Sequence, residues 1–498
     1  MEPRLTMPDL PHWADLKLDR SAGGGVVVAA LVGGALVDLA VRSDPWSISG
    51  AILAAAVAVM VPLAGRVESR HSRALLVAAP IFGFFLALRA SEWLLPYNVL
   101  AAGGLLALAA SLARGGSLLD LPFIGLAARS IHAALHGLAA PAFAWEGLLR
   151  FLGPDGPDTG HAARARRWAA VLRGLALALP LLVMLGALLA SADVVFAHFI
   201  DLAPDLGDLG RHVVLIAIGA WGMAALLRVA AARPPGAGRQ RFPLVGPVEA
   251  TVVLGSLVAL FAAFAVTQVV SFRGGARHVI ETAGLTYAEY ARSGFFQLVA
   301  VAAITFAVLL AVDILTEPDD PATRRRLLVL SEVCIALTLV VVATALHRLN
   351  LYENAYGLTM LRFYAAVLVG WVGLALVLLG AWLGGSRRRA WFPAAAVGAG
   401  LAGLLVLNLI NPEAIVVRRN VALAEQTGRF DAEYLLELSD DAVPELVRTL
   451  PRLDPANQAN VLAHVCDVPA EAEGGWAAWN RSEHKAIAAR NQVCRPGG

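Results

Sequence analysis

The chain has 498 residues, 58% of them hydrophobic and only 16% charged, with a mean hydropathy of +0.67. No water-soluble globule of this length carries so little polar surface, and no basic patch suited to nucleic acid is present. The formal charge of +2 points to no partner beyond the lipid bilayer.

Eleven apolar stretches follow one another at about 22–42, 47–65, 74–95, 97–113, 169–191, 211–230, 248–270, 294–316, 327–346, 361–383 and 391–410. A hydrocarbon core about 30 Å thick needs roughly 20 apolar residues at a rise of 1.5 Å each. Backbone groups in lipid must find partners within the protein, which leaves helices or a closed barrel. Runs of Leu, Ala and Val without period-two alternation leave helices. The expected fold class is therefore all-α, a polytopic transmembrane helical bundle over 22–410. Residues 1–21 carry Asp9, Asp15 and Asp19 beside Lys17 and Arg20, unlike the basic start of a cleavable signal, so the first span is expected to stay as an anchor. Two lysines, Lys17 and Lys485, stand against 38 arginines. With the abundant Ala, Gly and Pro this is a correlate of a GC-rich bacterial genome, and the expected location is a bacterial inner membrane.

Loop charge orients the bundle, because cytoplasmic loops are enriched in Lys and Arg. The N-terminal tail, 66–73, 114–167, 228–241, 324–326 and 387–389 together hold 22 basic residues, whereas the alternate loops hold seven. The acidic loop 193–208 has four aspartates and no Lys or Arg. The amino terminus is thus expected inside and, with an odd number of spans, residues 411–498 outside.

Within the long inner loop, 115–168, the stretch 118–152 is apolar but broken by Pro122, Gly137 and Pro141. It reads as helices lying in the interface or as a re-entrant hairpin. The tail reads as a small helical domain. Pro412 opens a helix ended by Gly428, Asp431 and Ser439 cap two short ones (the second beginning at Asp440–Asp441), and Pro455 opens a fourth. A fifth runs from Trp476 to Arg490, with Trp476, Trp479 and Ile487 expected as burial points. Cys466 and Cys494 both fall in this outer segment, where oxidising conditions permit a bridge; spacing alone leaves bridge and free thiols both open.

Two outer segments are rich in polar and aromatic residues: GLTYAEYARSGFFQ, Gly284 to Gln297, and HRLNLYENAYGLTMLRFY, His347 to Tyr364. In the first, Tyr287, Glu289 and Arg292 stand out. In the second, Tyr352 and Tyr356 share a helical face beside Glu353, Gly357 breaks the helix and Thr359 starts the next span. Tyrosines at this depth are ordinary interfacial anchors. The functional alternative is a polar site at the outer leaflet, supported by ionisable residues near the outer ends of spans: Asp38, Arg89, Glu92 and Arg362, with Asn408 and Asn411 as acceptors. Such groups face a cavity or one another. Arg89 and Glu92, at i and i+3, are placed to neutralise each other, and Asp38 to pair with Arg42 or turn toward Arg362 or Arg89.

LLASADVVF (188–196), GLTYAEYARSGFF (284–296) and NLYENAYGLTMLRFY (350–364), with YLLELSDDAVPELV (434–447) and WAAWNRS (476–482), resemble the signature stretches of a bacterial family of multi-pass inner-membrane proteins. That family is catalogued only as a domain of unknown function. The resemblance runs from about residue 170 onward and implies a multi-pass membrane location and no activity.

No phosphate loop, CxxC pair or GxSxG elbow occurs. His132 and His136, at i and i+4, lack a third ligand at a metal-binding spacing, so no metal or cofactor is expected. Three readings follow. The first is an envelope protein engaging a partner protein, peptide or lipid headgroup. The second is a transporter of a small or lipidic solute, and the third an outward-facing enzyme on a lipid-linked substrate. The absence of catalytic motifs puts the binding reading first and counts against an enzyme.

Overall fold

The computed structural model describes residues 18, 24–43, 47–65, 67–152, 204–233, 244–318 apart from 274–294, 320–385, 390–468 and 475–494. Among them are 17 α-helices and no strands. Chain order in the membrane region is α1 (Gly24–Arg42), α2 (Ile48–Gly65), α3 (Arg70–Phe85), α4 (Leu95–Ser111), α5 (Phe123–Leu138), α6 (Ala140–Leu152), α7 (Pro204–Ala231), α8 (Pro247–Arg273), α9 (Phe295–Leu315), α10 (Pro321–Tyr356), α11 (Met360–Gly384) and α12 (Trp391–Ile410). The tail follows as α13 (Pro412–Thr427), α14 (Ala432–Leu436), α15 (Val443–Thr449), α16 (Pro455–Asp467) and α17 (Arg481–Val493).

Eight helices (α1, α2 and α7 to α12) are long and apolar enough to cross a bilayer, and α4 is a shorter apolar helix. Their outward faces stay apolar: Leu63, Leu100 and Val248 are each at least 70% exposed. Helices apolar all round are stable only where lipid replaces water. The chain is an all-α polytopic membrane protein. The expected span 169–191 lies outside the described residues.

Two clusters fill the membrane region. One joins α1 to α4 and α7 around Val61, Ala79, Leu105 and Leu227; the other joins α8 to α12 around Leu254, Leu309, Leu376 and Phe392. They meet along α12, whose Leu404 and Leu407 belong to the first while Phe392 and Ala396 belong to the second. α1 and α7 cross closely. A Cβ on Gly34 would fall 2.4 Å from the Ile216 carbonyl oxygen, and one on Gly219 would fall 2.7 Å from Val37 Cβ. Small residues at such a crossing let two membrane helices gain van der Waals contact along their length.

The segment 118–152 forms α5 and α6, fastened to the bundle by Arg129 Nη1 to the Ser111 carbonyl (2.6 Å) and Trp221 Nε1 to the Gly137 carbonyl (2.8 Å). His132 and His136 are buried, with Nε2 atoms 3.2 Å apart.

α3 departs from expectation. The apolar run continues to residue 95, yet the helix ends at Phe85 and tightens into i→i+3 turns, Leu86 N to Gly83 O and Ala87 N to Phe84 O. Unwinding at a membrane boundary frees carbonyls that need donors. Here the donors come from the tail almost 400 residues away: Asn480 Nδ2 to Leu86 O (3.1 Å) and Arg89 O (2.9 Å), Arg481 N to Ala87 O (2.9 Å), and Ser482 Oγ to Leu88 O (3.0 Å).

The tail therefore packs on one end of the bundle. Its core of Val416, Val417, Val421, Leu435, Leu446 and Val461 also takes in Leu358 and Met360 from the α10–α11 turn. Cys466 and Cys494 are joined as a disulfide, Cα atoms 5.4 Å apart, tying α16 to α17. The first two tail helices follow their caps: Gly428 takes a positive φ of 71° after α13, and Asp431 accepts from Tyr434 N (3.2 Å). Two details differ. Asp440 and Asp441 precede α15, which starts at Val443, instead of opening it. The expected fifth helix is split into a 3-10 turn (Trp476–Ala478) and α17, with Asn480 as cap. Trp476 is 68% exposed and Trp479 38%, while Ala477, Ala478, Ala486 and Ala489 are buried. Ala477 meets the bundle through the Ser47 hydroxyl, which donates to its carbonyl, Ala486 and Ala489 pack on Val443 of α15, and the indoles stay outside.

Candidate functional site

Three helices, α3, α10 and α12, send their C-terminal ends to the face covered by the tail. A helix C-terminus presents unpaired carbonyls equivalent to about half a negative charge, so cations are favoured there. Arg89 and Arg362 supply them. Arg89, in the turn after α3, donates from Nε to the Asn408 carbonyl (2.7 Å) and from Nη2 to the Asn408 and Leu409 carbonyls, the latter at 3.3 Å, capping α12. Its Nη1 reaches Asp441 Oδ1 at 3.2 Å. Arg362 does the same for α10, donating from Nη1 to the Gly357 carbonyl (2.5 Å) while its guanidinium lies 4.2 Å from the centroid of the Tyr352 ring.

Asp441 is the hub. Its Oδ2 accepts from the backbone N–H groups of Ala90 and Ser91, both at 3.1 Å, and its Oδ1 accepts from Arg89 and shares with Leu88 O the single proton of Ser482 Oγ. A carboxylate has about four acceptor sites, and each here faces a donor. Beside it, Glu413 at the start of α13 is 1% exposed and accepts from Ser439 Oγ (2.7 Å). Burial pushes the Glu413 carboxyl above the ordinary carboxylate range, against the lowering effect of the hydrogen bond from Ser439, with Asp441 adding repulsion. In the membrane just below, Asn98 and Asn408 exchange side-chain hydrogen bonds of 3.0 and 2.8 Å, closing α4 on α12.

The α10–α11 turn is held the same way. Gly357 has φ of 82°, and a Cβ there would lie 2.2 Å from Asn420 Oδ1. Asn420 of α13 clamps the next residue, accepting from Leu358 N (3.2 Å) and donating to its carbonyl (2.7 Å). Tyr434 Oη accepts from Met360 N at 2.6 Å; burial raises the phenol's pKa, opposed by that bond.

The residues expected to form one outer-leaflet site are thus divided. Tyr352, Glu353, Tyr356 and Arg362 come together: the two tyrosine rings are 5.0 Å apart, and Glu353 is half-buried with Arg419 and Arg362 as the cations acting on it. Arg89 belongs with Asp441, not with Glu92. Glu92 is exposed, because the helix that would have set i and i+3 side by side ends before either residue. Asp38 is buried in a third place, where His212 Nδ1 of α7 lies 2.7 Å and Arg42 Nη1 3.9 Å from its Oδ2. It faces neither Arg362 nor Arg89, since the glycine crossing of α1 and α7 aligns it with His212. Tyr287, Glu289 and Arg292 lie outside the described residues.

Asp441, Glu413, Ser482, Asn420 and Asn480 carry the junction and were not singled out from the sequence. Only Asp440–Asp441 offered a sign. Two adjacent carboxylates with no cation three or four residues away need distant partners, and they find Arg490 (2.7 Å) and Arg89 respectively.

A cleft of about 330 Å³ opens at this junction, walled by Phe85, Leu88 and Leu409 on the bundle and by Asp441, Arg481 and Lys485 on the tail. Among the described residues no group of three or more His, Cys, Asp or Glu is arranged to hold a metal ion.

Residues 26–449 match the family described as Domain of unknown function (DUF4153). The chain belongs to that family. The match takes in the early spans, which the signature stretches did not, and stops before the Trp476–Ser482 motif. No curated protein and no solved structure matches the chain.

Proposed function

We propose that this DUF4153 member is a multi-pass protein of the bacterial inner membrane, amino terminus in the cytoplasm, whose C-terminal helices form a fixed outer platform that binds an envelope component. The observation that carries this reading is how the tail is attached. It is hydrogen-bonded to the backbone of three separate turns, at Ile48 through Trp479 O, at residues 86–91, and at residues 358–360. A tethered domain would touch the bundle at one place. Alternating access requires one half of a bundle to rock against the other, and a cap that ties the ends of α3, α10 and α12 together opposes such motion. Of the two buried carboxylates at the junction, Asp441 is fully engaged by its hydrogen-bond partners, which weighs against that group as a base. The disulfide favours an oxidising compartment for the tail, in agreement with the arginine asymmetry.

The test has two parts. A cysteine replacing exposed Asn354 reacts with an impermeant maleimide in intact spheroplasts if the platform is outside; protection there, with labelling only after lysis, overturns the orientation. A photo-cross-linker at Trp476 yields an adduct with an envelope protein or lipid if the platform binds one. Adducts no more abundant than those from a probe at Arg325, in an inner loop, overturn the binding reading.

A further inference from the structure

The cleft between platform and bundle has the chemistry of a phospholipid headgroup site. Its volume, about 330 Å³, falls at the small end of the range of about 300–1,000 Å³ usual for ligand pockets. Three carboxylates line it, and each is already neutralised: Asp441 by Arg89, Asp440 by Arg490 (2.7 Å), and Glu445 by Arg448 (2.5 Å) and Arg418 (3.5 Å). Two cations in the lining are not. Arg481 and Lys485, one turn apart on α17, are both exposed and make no ion pair with any described residue. Among the described residues these two side chains have no counter-charge, and they present an Arg suited to bidentate contact with phosphate oxygens with a Lys beside it.

The bundle side of the cleft sets Leu409, Leu88 and Phe85 beside the polar Arg89 and Asn408, at the ends of α3 and α12. Leu409, 65% exposed, faces the position an acyl chain would take, next to Phe85 and Leu88. The depth also fits. Trp93, Tyr97, Trp476 and Trp479 are all between 38% and 68% exposed around the same junction, and such side chains settle at the headgroup level.

We infer that this cleft binds the phosphate of an anionic phospholipid, with Arg481 and Lys485 holding the headgroup and Leu409 bordering its acyl chain. This rests on the platform reading and names its ligand class. A soluble phosphate ester offers the same anion but nothing for Leu409, Leu88 and Phe85, so the lipid is the occupant the geometry favours.

The experiment uses the full chain in nanodiscs of phosphatidylcholine with a trace of labelled phosphatidylglycerol, reading bound lipid by native mass spectrometry and by competition. Nanodiscs expose both faces, so the outcome is independent of orientation, which the Asn354 labelling reads separately. Arg481→Ala with Lys485→Ala should lower phosphatidylglycerol occupancy roughly 30-fold, on the worth of basic residues at a membrane surface. The backbone N–H of Arg481, which holds Ala87 O, is untouched by the change. Hydrogen exchange over 86–91 confirms that the tail stays docked; Lys485→Glu alone provides a second variant if the double one does not. Unchanged lipid retention in a docked variant overturns the inference, as does equal retention of phosphatidylcholine. Displacement by free glycerol phosphate at concentrations comparable to the lipid would assign the cleft to a soluble ester and overturn the lipid as occupant.

Discussion

Replacing Asp441 by Asn tests whether the junction is held as described. Asn keeps the size of the side chain but only one acceptor oxygen. If that oxygen stays at the Oδ1 position, serving Arg89 and Ser482, the amide NH2 is forced against the N–H groups of Ala90 and Ser91, now 3.1 Å from a donor. If the amide flips, the two backbone donors are served, Ser482 Oγ can accept from the NH2 while donating to Leu88 O, and Arg89 faces an NH2. Either way hydrogen bonds are lost and a part-buried cation loses its counter-charge. Removing one member of a buried ion pair costs about 3–5 kcal/mol. In native-state hydrogen exchange that corresponds to faster opening by roughly 150- to 5,000-fold at the affected amides. The measurement is exchange of Ala90 and Ser91 in nanodiscs, with the amides of α11 as an internal reference that should not change. Exchange at 86–91 within threefold of the unmodified protein would refute the hub, and with it the claim that the tail is pinned through Asp441.

Three further outcomes follow from the same contacts. Gly357→Ala should destabilise the platform by about 1–3 kcal/mol for the positive φ alone, with more from the collision with Asn420 Oδ1 at 2.2 Å; in an Asn420→Ala background the collision part disappears, so a double-mutant cycle that is strictly additive contradicts the packing. Cys466→Ser with Cys494→Ser, or treatment with reductant, opens a loop of 28 residues and should cost about 3–4 kcal/mol on the chain-entropy account, read as faster proteolysis of the tail; unaltered proteolysis shows the bridge to be dispensable. Glu413 has a folded-state affinity for protons raised by burial, so its contribution to stability is greatest below the unfolded carboxylate pKa and is lost as pH rises through the folded value. Glu413→Gln should flatten that decline and leave the tail more stable than the native protein at pH 8, measured by thermal release of the platform; an unchanged pH dependence rules Glu413 out as its source.

What the sequence made legible is what lipid enforces locally. In a bilayer every residue of a span must be tolerable to hydrocarbon and every backbone group must be bonded within the helix, so 391–410 and 361–383 read almost to the residue against α12 and α11. Caps made by neighbours were legible for the same reason: Thr359, Asp431 and Gly428 act within a turn of where they stand. The errors lie where a distant segment decides. The apolar run to residue 95 gave no warning that α3 stops at Phe85, because the donors that make stopping affordable are Asn480, Arg481 and Ser482. Pairing Arg89 with Glu92 presumed the helix that those residues end. Trp476 and Trp479 were expected as burial points, yet Ala477 and Ala478 between them are the buried residues and the indoles stay 68% and 38% exposed.

The same reasoning explains why this face of the bundle concentrates polar residues without needing a reaction to account for them. Three helices, α3, α10 and α12, end there, and each leaves carbonyls that the bilayer cannot solvate. Arg89 and Arg362 answer two of those ends, and the cost of burying Arg89 is met by Asp441, which in turn is held by two backbone amides and a serine from the tail. Each charge is therefore explained by the one before it, beginning with a helix terminus. Arg481 and Lys485 stand outside this chain: they cap no carbonyl with their side chains and answer no carboxylate. Among the described residues they are the cations of the junction with no counter-charge, and that is what marks the cleft, rather than the buried network behind it, as the place to look for a ligand.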